Sequence, residues 1–138
     1  MKAGSARIVY LALIVIIAST PVAFGELPPA AYKKMQNNAP EHLQIKVLSV
    51  KTSQEQDGLQ VFVEAKVTAV ERSESGVKVG DVIDIEYFHD TRHVPGPSPM
   101  PILVQDQSYE AFLRLYSARQ KIWSYRPEAR GASFPPAR

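Results

Sequence analysis

Alternation of apolar and polar residues through the middle of the chain predicts β-strands. In the clearest stretch, residues 59–69, apolar side chains recur at every second position. This period of two is typical of a strand with one buried face. Residues 43–50 show the same alternation but change phase after Val47, which predicts a bulge. Polar residues ending in Asp57-Gly58 separate the two stretches, so we expect an antiparallel hairpin.

Three further strands are expected after this hairpin. Residues 83–87 alternate between apolar and acidic side chains, and residues 122–125 form an aromatic segment. Residues 109–116 fit both helical spacing and strand alternation, so their periodicity leaves two interpretations. We favour a strand, because a polar turn follows and the next segment is a suitable hairpin partner. The pattern predicts an all-β domain, a small five-stranded OB-like barrel over residues 41–126.

The segments on either side of this barrel have a different pattern. Residues 26–40 have two prolines near their start, which suit the first turn of a helix, and the helix-stopping sequence Asn-Asn-Ala-Pro at their end. This arrangement predicts a short N-terminal helix followed by a linker. Residues 127–138 lack periodicity and are expected to form a loose, flexible basic tail, on which Phe134 is the side chain suited to docking on the barrel.

Residues 1–25 have the pattern of a cleavable signal peptide. Two basic residues precede an apolar run over residues 8–18, and small residues stand at the positions that signal peptidase reads before Glu26. The run is shorter than the roughly 20 apolar residues of a spanning helix, which favours cleavage over a membrane anchor. We therefore expect a periplasmic or secreted protein with no stable membrane anchor after cleavage. The chain has no cysteine, so burial alone must stabilise the domain.

Removal of the signal peptide changes the charge balance of the chain. The full sequence has a formal net charge of +2, and the signal peptide carries two basic residues and no acidic one, so the remainder is formally neutral. Residues 26–118 hold nine basic and thirteen acidic side chains (net −4), and residues 119–138 hold five basic and one acidic (net +4). Phosphate contacts need a cationic surface, so nucleic acid is not an expected partner.

Three stretches of the predicted barrel, VEAKVTAV at residues 63–70, GVKVGDVIDI at residues 76–85 and YEAFL at residues 109–113, resemble the netrin-like modules. That superfamily includes the tissue inhibitors of metalloproteinases. The resemblance spans roughly residues 43–113 and implies an OB-fold barrel and a tendency to bind other macromolecules. The inhibitors depend on an N-terminal cysteine and on disulfides, whereas this chain has no cysteine and would begin at Glu26. No inhibitory residue is therefore carried over.

One segment contains residues that are able to bind a metal. His89 and His93 flank Asp90 where the third strand enters a proline-rich loop. Two histidines four residues apart share a face on a helix, but a strand end does not guarantee that they converge. A third ligand would come from His42 or Asp90. The alternatives are two exposed loop histidines or a zinc or copper site, with no other cofactor expected.

The other candidate residues favour a binding module over an enzyme. The chain has no cysteine nucleophile, no Gly-x-Ser-x-Gly motif and no phosphate-binding glycine loop, so no catalytic residue is assigned. A weak hydrolase with a pocket that the sequence does not reveal is the remaining enzymatic alternative. We expect instead a non-enzymatic module that binds a protein or glycan partner in the cell envelope.

The residues expected to contact that partner are Phe88 and Met100. Phe88 lies on the polar side of its strand, and Met100 lies in a loop whose alternate prolines predict stiff, extended backbone. Tyr87, Trp123 and Tyr125 are either core residues or parts of a stacking surface with Phe88. We favour core packing for Tyr87 and Trp123.

Overall fold

The computed structural model describes residues 27–92, 95–96, 98–119 and 122–137, and in them five strands form a closed barrel. The strand order is β1-β2-β3-β5-β4, and β4 pairs with β1 to complete the circle. The strands are β1 (Glu41–Glu55), β2 (Gly58–Ser73), β3 (Val82–Asp90), β4 (Ser108–Arg119) and β5 (Ile122–Pro127). Helix α1 (Pro29–Asn38) precedes the barrel. The predicted five-stranded OB-like barrel with a short N-terminal helix is confirmed. The signal-peptide prediction concerns residues outside the described part of the chain.

The long hairpin of β1 and β2 has two parts that differ in strand pairing. β1 and β2 pair along their whole length, and β1 pairs with β4 only from Glu41 to Lys46. Between Val47 and Ser49 the register shifts, so Leu48 is the extra residue of a bulge, as the phase change predicts. Beyond this bulge β1 continues beside β2 alone. β3 and β5 pair in parallel, and every other pairing is antiparallel.

The barrel core consists of the inward positions of each strand. On β2 the apolar residues from Val61 to Val67 are at most 2% exposed at every second position, which confirms the alternation seen in the sequence. Residues 109–116 are part of β4, so the strand interpretation is confirmed, and β5 is its antiparallel partner. Burial of this aliphatic surface supplies the main stabilising free energy of a domain without disulfides.

The second half of the loop after β3 packs against the barrel core through Leu103 and Met100. Leu103 is 2% exposed and its N–H donates to the Tyr87 hydroxyl over 3.2 Å. That hydroxyl in turn donates to the Pro101 carbonyl over 2.7 Å. Burial raises the pKa of Tyr87 to about 12, although the Leu103 hydrogen bond opposes the shift. The loop is thus fixed to β3 by a buried side chain.

Most of the chain after β5 is packed against the barrel. Phe134 is 4% exposed and lies in the core, as predicted, with its ring centroid 5.5 Å from that of Tyr87. The Glu110 N–H donates to the Pro135 carbonyl over 3.0 Å, so this segment pairs with β4. Ala129, Ser133 and Phe134 are buried, and the exposed end of the described residues is Pro136 and Ala137. Most of the segment predicted as a loose tail from residue 127 is therefore packed on the barrel.

Helix α1 is held to the barrel at its C-terminal end. Arg72 on β2 donates from Nη2 to the Ala39 carbonyl over 2.6 Å and to the Gln36 carbonyl over 2.9 Å. The bond to Ala39 gives a partner to the carbonyl that follows the last helical turn, and the Gln36 carbonyl also accepts from the Ala39 N–H over 3.3 Å. Among the described residues, no helix has the length and apolar content needed to cross a membrane.

Candidate functional site

Two phenylalanines stand on the outer face of neighbouring strands. Phe62 on β2 is 43% exposed and Phe88 on β3 is 36% exposed, whereas Val61, Val63 and Tyr87 beside them are buried in the core. Phe62 lies opposite Glu86 and Phe88 lies opposite Gln60. The two phenylalanines are therefore diagonal neighbours, with backbones roughly 7–8 Å apart. We call the surface of Gln60, Phe62, Glu86 and Phe88 the aromatic face.

Gly58 sets the position of the Phe88 ring at the start of β2. A Cβ at Gly58 would lie 2.6 Å from Phe88 Cζ and 2.2 Å from the His89 carbonyl oxygen. Both distances are well below van der Waals contact, so a larger residue would displace the ring or the β3 backbone. The preceding Asp57 has a φ of 71°, as a tight turn requires. The predicted Asp-Gly turn thus also determines how Phe88 is presented.

Phe88 and Met100 line the same groove, which has a volume of about 350 Å³. Gln60, Glu86 and Arg126 also line it, so the groove has an apolar part and a polar part. We call it the Phe88 groove. The structure thus brings together the two residues that the sequence nominates for partner contact.

Two hydrogen bonds hold Met100 beside β3. The His89 ring donates from Nδ1 to the Met100 carbonyl over 2.6 Å. At the next residue of the loop, the Pro101 carbonyl accepts from Tyr87. Proline restricts the backbone further on both sides of Met100. The wall of the Phe88 groove is therefore built in advance of any contact with a partner.

A second groove of about 320 Å³ adjoins the first and shares Glu86 with it. Its lining includes Phe62, the carboxylates Glu64 and Asp84, and Lys51. We call it the Phe62 groove. The Gln60 side chain donates from Nε2 to Glu86 Oε1 over 3.0 Å and so fixes the carboxylate between the two grooves.

The aromatic stacking surface suggested by the sequence is reduced to Phe88. Tyr87 is 4% exposed and Tyr125 is fully buried, and the Tyr125 hydroxyl lies 2.8 Å from Ser75 Oγ. Trp123 is partly buried and packs against the core, with its ring 6.4 Å from that of Tyr125. Core packing is confirmed for Tyr87 and Trp123. Alternation explains the result for the tyrosines, because residues 87 and 125 occupy inward positions of their strands.

Phe62 is the functional candidate that the sequence analysis did not identify. Its neighbours Val61 and Val63 point into the core, so an aromatic residue stands where β2 otherwise carries Gln60, Glu64 and other polar side chains. An exposed aromatic in a polar phase is the same signal that identified Phe88. The long apolar run of β2 hides this signal, because Phe62 is one more apolar residue within it.

Of the described residues proposed for a metal site, His42 lies far from His89 and Asp90. His42 lies opposite Arg72 near one end of β2, whereas His89 lies opposite Leu59 near the other end. His42 Nε2 is 2.5 Å from Glu110 Oε1. The interpretation of His42 as a third ligand is therefore wrong, because strand register separates it from His89.

The remaining metal candidates are His89, Asp90 and His93. Asp90 is bound by Arg92, whose Nη2 lies 2.6 Å from Asp90 Oδ2 and lowers the pKa of Asp90 to about 2. His93 lies outside the described residues. Within the described ranges, no group of three His, Cys, Asp or Glu side chains is arranged to hold a metal ion. Zinc or copper binding at His89 and His93 stays a prediction.

Comparison of the chain with protein-family models, with curated proteins and with solved structures found no match. The resemblance to netrin-like modules therefore stays a prediction, and the barrel topology is the part of it that the structure shares. Function has to be argued from the surface itself, because a fold alone supports many functions.

Proposed function

We propose that this protein is an exported, non-enzymatic binding module that holds a protein or glycan partner on its aromatic face. The observation that carries this proposal is the groove of about 350 Å³ in which exposed Phe88 faces Met100. Aromatic side chains at the centre of a contact surface supply much of the binding free energy in protein complexes. In OB-fold barrels, the strands 2 and 3 also form the surface that binds extended ligands.

The rigidity of the groove supports binding. A surface that is ordered before contact loses less conformational entropy on association. Here Phe88 belongs to a paired strand, and Met100 is attached to that strand through His89 and Tyr87. The partner therefore meets a wall that needs little rearrangement.

The charge of the adjoining Phe62 groove supports a partner other than nucleic acid. Glu64, Asp84 and Glu86 line it and outnumber Lys51, the basic residue among its lining side chains. Carboxylates repel phosphate groups, so a nucleic-acid backbone does not suit this surface. Sugar hydroxyls and peptide N–H groups, in contrast, donate hydrogen bonds to carboxylates, and sugar hydroxyls and peptide carbonyls accept them from amide side chains.

We expect the double substitution Phe88→Ala with Met100→Ala to lower partner binding by about tenfold or more, because two central apolar contacts are lost. The measurement is quantitative affinity capture from a cell-envelope extract, with a glycan array run on the same preparations. The control is Val79→Ala with Val104→Ala, two exposed apolar residues that line neither groove. Unchanged capture by the Phe88 and Met100 variant would show that this surface is not the binding site.

A further inference from the structure

We infer that the Phe62 groove receives the lysine or arginine side chain of an extended peptide segment, added as a strand beside β1. This inference rests on the proposed function and names the class of partner: a protein with an exposed basic segment. Its basis is the charge of the groove, the exposed Phe62 ring and the unpaired edge of β1.

The Phe62 groove carries an unbalanced negative charge. Three carboxylates, those of Glu64, Asp84 and Glu86, line it together with Lys51. None of the three forms a salt bridge among the described residues, where ion pairs involve other acids. Asp84 and Glu86 are half-buried, so solvent screens them less than it screens Glu64. The groove therefore attracts a cationic group.

The position of the Phe62 ring also favours a cation. In strand register Phe62 stands between Lys51 on β1 and Glu86 on β3, and it is the exposed aromatic residue of this groove. A cation above an aromatic ring is attracted by the ring's quadrupole, and flanking carboxylates add charge-assisted hydrogen bonds. An ammonium or guanidinium group makes both contacts at once. A neutral sugar carries no positive charge for the ring or for the carboxylates to attract.

The free edge of β1 favours a peptide as the carrier of that cation. β4 leaves β1 after Lys46, and the last backbone bonds on that side join Val47 to residues 106 and 107. From Ser49 to Glu55, β1 pairs with β2 only, within the described chain. Alternate residues of such an edge direct N–H and C=O groups away from the sheet, where an added strand can bind them.

The edge and the groove are adjacent, because Ser49 and Lys51 of β1 form one rim of the Phe62 groove. A strand added beside β1 would lie roughly 10 Å from β2, which is two strand spacings. Only long side chains approach Phe62 and Glu64 from that distance. Lysine and arginine side chains are long enough to extend toward Phe62 and Glu64 and carry the positive charge that the groove attracts. The length of the side chain and its charge therefore favour the same two residue types.

The charge of the part of the chain that forms β1 to β3 agrees with a basic partner. Residues 26–118, which contain β1 to β3, have a formal net charge of −4. A negative surface steers a cationic partner toward it and raises the association rate, most strongly at low salt. Binding is therefore expected to weaken as salt concentration rises.

The test is selection from a phage-displayed library of random peptides, with the protein as bait. Wild type should enrich lysine or arginine at one fixed position of the selected peptides. The variant Glu64→Gln with Asp84→Asn should lose this enrichment. The control, Glu71→Gln with Glu74→Gln, removes the same charge outside the Phe62 groove and should retain it. Equal urea midpoints for all variants establish that each is folded.

The affinities of a selected peptide and of its analogue with glutamine at the basic position then give the contribution of the basic side chain to binding. We expect wild type to bind the analogue about tenfold more weakly than the peptide, in the range that double-mutant cycles give for close charge pairs. The groove variant should bind the peptide and the analogue with about equal affinity. Enrichment without a basic residue, or enrichment that the groove variant keeps, would overturn the inference.

Selection of no peptide at all would also overturn the inference. If a glycan array then yields a ligand whose binding needs Phe88 and Met100, the proposed function stands without its peptide partner. If the Phe88 and Met100 variant alters no binding in either screen, the proposed function fails as well.

Discussion

Phe134→Ala is expected to lower the free energy of unfolding by about 3–5 kcal/mol, the usual cost of truncating a buried phenylalanine. Phe134 lies in a segment without sequence periodicity, yet its side chain is 4% exposed and contacts Tyr87 in the core. Its removal leaves a cavity in the core cluster beside Tyr87. Urea unfolding followed by tryptophan fluorescence measures the change through Trp123.

Phe62→Ala is the matched control, because it makes the same chemical change on an exposed side chain. We expect its effect on stability to stay within about 0.5 kcal/mol. Equal effects of the two substitutions would contradict the packing of the C-terminal segment, since an undocked Phe134 would behave as Phe62 does.

Gly58→Ala is expected to destabilise the protein by about 3 kcal/mol, at the upper end of the cost of overpacking. The new Cβ would lie 2.2 Å from the His89 carbonyl oxygen, which is a backbone atom and has little freedom to move. It would also meet the Phe88 ring, so the variant should disturb the aromatic face as well as the hairpin. Equilibrium urea unfolding measures the loss.

Gly76→Ala provides the comparison for this effect. Gly76 has a φ of +83° and nothing within 4 Å of the added Cβ, so the substitution introduces backbone strain without a clash. We expect a cost of about 1–2 kcal/mol. If Gly58→Ala lowered the free energy of unfolding less than Gly76→Ala does, β3 would not approach Gly58 as closely as described.

The barrel was predictable because its strands obey local rules. The period-two pattern of residues 59–69, the phase change at Val47 and the Asp57-Gly58 turn each depend on neighbouring residues only, and all three correspond to features of the structure. Residues 109–116 were ambiguous in periodicity, and the expected hairpin partner decided the matter. Local pattern and pairing were therefore sufficient for the fold.

The length of the tail was less predictable, because it depends on one long-range contact. Residues 127–138 have no periodic pattern, and Phe134 is an isolated aromatic residue among prolines and small side chains. Its burial follows from packing in the core cluster that also contains Tyr87 and Leu103, which come from distant parts of the chain. No neighbouring residue in the sequence carries that information.

The candidate site was predictable in part. Phe88 stands out because an aromatic residue occupies the polar phase of an otherwise regular strand, and Met100 because prolines surround it. That the two residues line one groove depends on hydrogen bonds from His89 and Tyr87 to the loop, and nothing local specifies them. Phe62 and the free edge of β1 emerge only from the strand register and from the point at which β4 departs.

Strand register also explains why the interpretation of His42 as a metal ligand was wrong. His42 and His89 are both close to strand ends, but the register of β2 places one near Arg72 and the other near Leu59. Residue type suggests a shared site, whereas strand pairing determines distance. Metal sites built from separate strands therefore cannot be assigned before the register is known.

The central claim is that a partner contacts the aromatic face. The most direct measurement is site-specific photo-crosslinking in living cells, with p-benzoylphenylalanine placed at Phe62, at Phe88 or at the control position Val79, which is 64% exposed. Our account predicts covalent adducts from positions 62 and 88 and none from position 79. Adducts from position 79 alone, or equal adducts from all three positions, would contradict it.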